Sequence, residues 1–464
     1  MNNVKILVAI ANYGEKNRQY LDRLLAAYRA MPADIKIVVL SNILKEFVGD
    51  VDVRVGMPSD NPWSLPFAHR KLFVENLDKY DFFIYSEDDT LITWETIESF
   101  IESDKYLDSN EIAGFLRTEE SADGSRYYST CHSFFRWIPS SVRKRGEHLW
   151  ARYSNEHSAC YMISQDKLRL AIASGGFLMN PHEGRHDMLC AAATDVYTQC
   201  GFEKLVCFDN LICYTLPHLP NKYIGKMGLP EAEMEWHKAA LRRIFNRELS
   251  SYEMLNPETK LPMGIGSKWY REKPDPKICQ LLGKDIKNIL VWGAGDGVFE
   301  ADLRERGHQV YVIPLDSIVG ECCRKRGLEV LQHDHLEVAF LDKKFDVVVL
   351  RDILHLYEKP IDLLKKVFTL LNRNGFFIAR IPNFHQIGLL KRRLTDPRFK
   401  MLWSKDNLHA TPFTLRGLKQ LAREAGFRQV NVQVDVPKKR TMINLLTFFV
   451  LSKVLSPYFY LSGK

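Results

Sequence analysis

Three consecutive carboxylates, Glu87, Asp88 and Asp89, follow four strand-forming residues in the run FFIYSEDDT, residues 82–90. A short apolar run of this kind reads as a buried strand. Carboxylates gathered at its exit share a small volume, where like charges repel unless a cation lies between them. A hard divalent metal holding a diphosphate needs such a place: a few oxygen ligands, with positions left for phosphate oxygens and water. The competing reading is a solvated turn or a helix cap, to which acidic residues are equally suited. A second centre is GAGDG, residues 293–297, entered from the apolar run ILVW. Glycines there let the backbone approach a ligand with no Cβ in the way.

Both centres need elements to hold them. In the first half, strands at residues 4–11, 35–40 and 51–55 precede the acidic strand, with helical stripes inside residues 17–31 and 62–76. Strands alternating with helices imply an α/β fold with a mostly parallel sheet, whose ligands bind beyond the carboxyl ends of the strands. Asn12, Ser41, Asp88 and Asp89 stand at such ends and should converge on one crevice. The second half repeats the logic: strands at residues 309–313, 329–331, 345–350 and 376–380 follow the glycine run. Helices are expected at 360–371 and within 408–427. Between the halves the pattern weakens, so the expected division is 1–228, a helical linker 229–283, 284–435 and a tail 436–464.

Totals narrow the classes. A chain of 464 residues is too long for one core, and two domains are expected. A net charge of +7, with no basic stripe carrying aromatics, speaks against a nucleic-acid partner. Nine cysteines without a CxxC pair, and no leader before the first strand, predict a reducing cytoplasm. The same pattern argues against zinc and against a disulfide framework.

The first half, with its acidic strand exit, resembles the nucleotide-sugar-binding half of a GT-A-fold, family-2-like glycosyltransferase. That resemblance implies a mixed sheet and a divalent cofactor, Mn²⁺ or Mg²⁺, on Glu87, Asp88 and Asp89, with Asp89 the best single ligand. The late His218, in LPHLPNKYIG, would close the metal site. Asn12, Ser41 and Arg70 fall to the nucleotide-sugar donor, with His69 and Lys71 beside Arg70. Ser174-Gly175-Gly176-Phe177 resembles the turn before the catalytic helix. The base near that helix start would be Asp187, with Glu183 and Asp195 behind it. His157 is placed to line the acceptor pocket, and Trp63 to floor a sugar ring or fill the core.

Residues 284–435 closely resemble class I S-adenosylmethionine-dependent methyltransferases, on GAGDG, FDVVVLRDIL, LLNRNGFFIARIPN and HATPFTL…AGF. In particular they resemble the branch that methylates sugars and other small molecules, on a Rossmann-like sheet. The resemblance implies that Gly293, Gly295 and Gly297 hold the methionine part of S-adenosyl-L-methionine. Asp334 would contact the adenine, and Asp352 would lie at the floor of the active site. Two departures stand out. The ribose-clamping carboxylate position is Pro314, with Asp316 two residues on, and His355 is shifted by one from the family's D-V-L-E-H run. Together the two resemblances imply a bifunctional transferase of polysaccharide or glycoconjugate synthesis. It would take a nucleotide sugar and a sugar or lipid-linked glycan acceptor, and methylate a sugar hydroxyl. The alternative is a glycosyltransferase carrying a non-catalytic docking module. A nucleotidyltransferase fits less well, because no glycine- and lysine-rich triphosphate loop follows the first strand. The tail, with Lys438, Lys439, Arg440 and then an apolar run, suits peripheral contact with the inner face of a membrane, or a final helix and strand buried on the second sheet.

Overall fold

The computed structural model describes residues 4–129, 136–225, 227–283, 285–331, 343–403, 408–435 and 452–464. Asp334 and the basic-apolar stretch 436–451 lie outside the described residues. The chain forms two compact units, Met1–Glu248 and Leu249–Lys464. Most of the expected linker is thus shared out between them. The helix Glu231–Phe245 stays with the first unit, its Glu231 accepting from Arg126 (3.3 Å) and Tyr128 (3.4 Å). Met254 and Lys268, by contrast, bond to the second sheet through Leu315 O (2.7 Å) and Arg351 O (2.9 Å).

In the first unit, β1 (Lys5–Asn12), β2 (Asp34–Ser41), β3 (Val51–Val55) and β4 (Phe82–Glu87) run parallel. An antiparallel edge strand, β5 (Cys160–Ser164), completes the spatial order β5-β4-β1-β2-β3. Phe83 to Ser86 of β4 are buried, as a strand covered on both faces requires. The order reverses between β1 and β4, and a crevice opens at such a switch point. Register pairs Ala11 with Glu87, so Asn12 stands level with Asp88.

Past the acidic strand the run IAGFLR is divided between two strands, Glu111–Ala113 and Leu116–Glu120, lying in different four-stranded sheets. The break falls at Gly114, where a Cβ would lie 2.2 Å from the stem of the buried Lys204. Leu116–Glu120 pairs in parallel with Thr215–Pro217, which carries the chain on to His218.

The second unit holds one seven-stranded sheet. Its strands are β6 (Asn288–Ala294), β7 (Gln309–Pro314), β8 (Glu329–Val330), β9 (Phe345–Arg351), β10 (Leu371–Pro382), β11 (Val430–Val434) and β12 (Tyr458–Gly463). The order is β8-β7-β6-β9-β10-β12-β11, parallel up to β10, with β12 antiparallel to both its neighbours. The strand reading of the tail therefore holds for residues 458–463. No helix among the described residues is long and apolar enough to cross a membrane.

Candidate functional sites

A cavity of about 330 Å³ opens at the β1/β4 switch point, lined among others by Asn17, Glu87, Asp88, Asp89, Asp187 and His218. Its closing wall is a chain crossing. Thr90 and His218 form an antiparallel bridge, Leu219 N–H donates to Asp89 O (2.9 Å), and Leu91 N–H donates to Pro217 O (3.0 Å). This brings His218 Nε2 to 3.4 Å from Asp89 Oδ2, while Nδ1 bonds to the buried Glu119. A carboxylate behind the ring fixes its tautomer and turns the other nitrogen toward the cavity, the arrangement found behind metal-ligating histidines.

The three carboxylates differ. Asp88 accepts from the side-chain amides of Asn12 and Asn17 (the latter 2.7 Å) and is pushed up to about 6, burial outweighing those bonds. Glu87 is pushed up to about 8, first by burial and then by the charge of Asp89. Burial also raises Asp89, but the His218 bond and the charges of His218, Arg117 and Lys222 outweigh it and hold the group below its usual range. Asp89 Oδ1 and Glu87 Oε1 are buried with no hydrogen-bond partner among the described residues. Orphaned acceptors beside an oriented imidazole fit a divalent cation, and Asp89 and His218 are the pair placed to hold it.

Asp187 is the N-cap of α1 (Met188–Thr198), accepting from Cys190 N–H (2.9 Å), and it also lines the cavity. His157 lines the cavity as well, with Arg117 donating to its Nε2 (3.3 Å).

Several expected contacts lie elsewhere. Arg70 and Asp195 form a buried ion pair (2.6 Å), so Arg70 is not placed on a diphosphate nor Asp195 on an acceptor hydroxyl. Arg70, in the helix Ala68–Glu75, and Asp195, in α1, neutralise each other in the core. His69 is also buried, stacked on Tyr85 and bonded to Tyr161. Asn12 is fully buried as a strut between Lys45 and Asp88, and Ser41 Oγ accepts from Ile43 N–H (3.2 Å); neither faces the cavity. Glu183 is exposed on the loop before α1, and Trp63 is 50% exposed, which removes it from the core. Sequence reasoning passed over Arg117, Glu119, Lys222 and Tyr223. The last two follow His218 closely in sequence, but their place at the cavity is made by the chain crossing.

In the second unit the sheet order reverses between β6 and β9, and both chemical runs stand there. Gly293 (φ +82°) and Gly297 (φ +87°) adopt left-handed backbone that leads into α2 (Val298–Glu305). Asp316 is buried and caps α3 (Ser317–Lys325), accepting from Ile318 (2.8 Å) and Val319 (3.0 Å). Asp352 is buried at φ +53° and paired with Arg380, whose charge outweighs burial and keeps the carboxyl below its usual range. His355 has its Nε2 2.6 Å from Gly266 O, and burial pulls it down to about 4. At neutral pH it is an uncharged donor to that carbonyl.

Residues 267–432 match the family model of a methyltransferase domain. The second unit carries a methyltransferase domain. Among curated proteins none matches the chain. Solved structures similar to this domain include a SAM-dependent methyltransferase of Thermotoga maritima described as a possible histamine N-methyltransferase. It is 19% identical, with a TM-score of 0.30, over 40% of this chain and 84% of that one. Others come from Archaeoglobus fulgidus (17%, TM-score 0.32, 40% and 90% covered) and Mesorhizobium loti (18%, TM-score 0.32, 40% and 95% covered).

The methyltransferase domain has the residue types for a nucleoside-bearing methyl donor at its switch point, but its own leading segment lies across them. A Cβ on Gly295 would stand 1.9 Å from Tyr270 O, which also accepts from Asp296 N–H (2.8 Å). Farther along, Met254 and Tyr252 bond to Leu315 and Ser317. The glycine loop fits the group in kind and place, and Tyr270 and Arg271 of the leading segment stand against it.

Proposed function

We propose that the chain is a two-site transferase: metal-dependent glycosyl transfer from a nucleotide sugar in the first unit, S-adenosyl-L-methionine-dependent methylation of a sugar hydroxyl in the second. The observation that carries the first activity is Asp89 facing His218 across the Thr90–His218 bridge, over a cavity at the sheet's switch point. Mn²⁺ or Mg²⁺ held there would neutralise the charge that develops on the departing nucleoside diphosphate. Glu119 orients His218, Arg117 adds positive charge to the same wall, and Asp187 stands at the cavity as the acceptor hydroxyl's base. The methyltransferase domain supports the second activity, in which the bound donor supplies an electrophilic methyl group. Gly293, Gly295, Gly297 and Asp316 would hold it. Acceptors of this pair are sugars or lipid-linked glycans, met in the cytoplasm at the inner face of the membrane. The crowding at Gly295 favours a second reading, in which the methyltransferase domain serves as a docking module.

The test is thermal unfolding with a panel of nucleotide sugars, with and without Mn²⁺. One donor is expected to stabilise the first unit only when Mn²⁺ is present. Asp89→Ala should abolish that shift and lower donor hydrolysis at least about a hundredfold, while S-adenosylmethionine binding is unchanged. A donor shift that needs no metal and survives Asp89→Ala would overturn the first assignment. Absence of calorimetric heat at millimolar S-adenosylmethionine would favour docking.

A further inference from the structure

A second set of metal-type donors stands in the first unit, away from the Asp89 crevice. The strands His148–Arg152 and Glu203–Cys207 pair antiparallel, with Cys207 opposite Trp150. Continuing the register sets Asp209 against His148. Alternation along a strand puts Cys207 and Asp209 on one side. Asp209 Oδ1 lies 3.1 Å from Cys207 Sγ and 3.4 Å from His148 Nδ1, and Oδ2 accepts from Leu149 N–H (3.0 Å). One carboxylate oxygen is thus met by a thiol and an imidazole at once. Among the described residues these three form the one group of His, Cys, Asp or Glu donors whose ligand atoms all lie within 4.8 Å of one another.

We propose that His148, Cys207 and Asp209 bind Zn²⁺. The donor set decides the metal: a thiolate and an imidazole select a borderline-soft ion over Mg²⁺ or Mn²⁺. Distances decide the geometry. Ligand bonds of about 2.0–2.3 Å in a tetrahedron separate N from O by about 3.4 Å and S from O by about 3.6 Å. The His148–Asp209 edge already has that length, and the Cys207–Asp209 edge is within a side-chain adjustment of it. Zn–S bond formation releases the thiol proton to solvent, so affinity rises with pH. The Leu149 amide holds the carboxylate from behind, as a supporting bond should. His148 is half exposed, which gives the ion an entry path, and it also borders a cavity of about 240 Å³ with Glu102, Tyr106, Trp150 and Tyr214. A fourth position filled by water completes the coordination. This departs from the expectation against zinc: no CxxC spacing exists because the donors come from two strands and a turn.

The test uses the full chain and Co²⁺ as a spectroscopic stand-in. A thiolate-to-cobalt charge-transfer band in the near ultraviolet should rise to one equivalent and be displaced by Zn²⁺. Cys207→Ser should remove the band, and His148→Ala, at a half-exposed position, should weaken Zn²⁺ at least tenfold with the circular dichroism unchanged. Asp89→Ala should leave the band intact, which separates this site from the crevice. No charge-transfer band, or a zinc stoichiometry and affinity unaltered in both Cys207→Ser and His148→Ala, would overturn the proposal.

Discussion

At the scale of single residues, His355 shows how burial sets chemistry. Its ring is held by Gly266 O and pulled down to about 4, so it stays neutral in the folded state where an unfolded histidine would charge. Between the unfolded value near 6.5 and the folded value, the unfolded chain binds more protons, and stability falls as pH falls. His355→Gln keeps a donor for Gly266 O without the titration. The variant's melting temperature for the second unit should therefore drop less than the wild type's between pH 7 and pH 5. Equal drops would remove His355 from the acid response. Both groups hold a proton weakly, His355 because burial disfavours its charged form and Asp352 because Arg380 favours its ionised form, so neither is a strong base. Arg70 and Asp195 carry a related lesson. In sequence a charged side chain looks the same whether it will meet a substrate or a partner charge, and only the packed helices show that these two meet each other.

At the scale of elements, the segment 249–275 deserves the closest test. Tyr270 O accepts from Asp296 N–H and the Arg271 guanidinium pairs with the Asp296 carboxylate (2.9 Å), so backbone and side chain both tie it to the glycine loop. Gly295→Ala drives a Cβ against Tyr270 O, and one of the two backbones must move. The expected cost is about 1–3 kcal/mol, read as a lowered melting temperature of the second unit and faster proteolysis within 267–275. Cleavage rates equal to wild type would mean that the loop, not the segment, gives way. Most strands were legible because apolar runs and their spacing are local: β1, β2, β3, β4, β6, β7 and β9 stand close to where periodicity puts them. The break at Gly114 was not, since it depends on the stem of Lys204 arriving from another strand. Nor was the insertion of β12 between β10 and β11, a pairing that no local pattern encodes.

At the scale of the whole molecule, two cores with separate sheets imply two cooperative transitions. Differential scanning calorimetry should resolve them, Mn²⁺ with a nucleotide sugar raising one and S-adenosylmethionine the other. A single transition moved by both would show that the units unfold together. The acidic strand exit, the helix-capping Asp187 and His218 were each legible as residue types at strand and helix ends. Glu119, Arg117 and Lys222 were not, because their relation to Asp89 is made by sheet pairing and a chain crossing.

That crossing has a consequence for synthesis. The carboxylates of β4 are made early, yet the wall that faces them, Thr90 against His218, needs a stretch translated much later. Contacts this distant in sequence form after the local ones, once the cost of closing the intervening loop has been met. A nascent chain ending short of His218 would carry the full acidic triplet and no oriented imidazole. Under the proposed assignment, metal-dependent donor cleavage would belong to the finished first unit alone, and a partly translated chain would not spend nucleotide sugar.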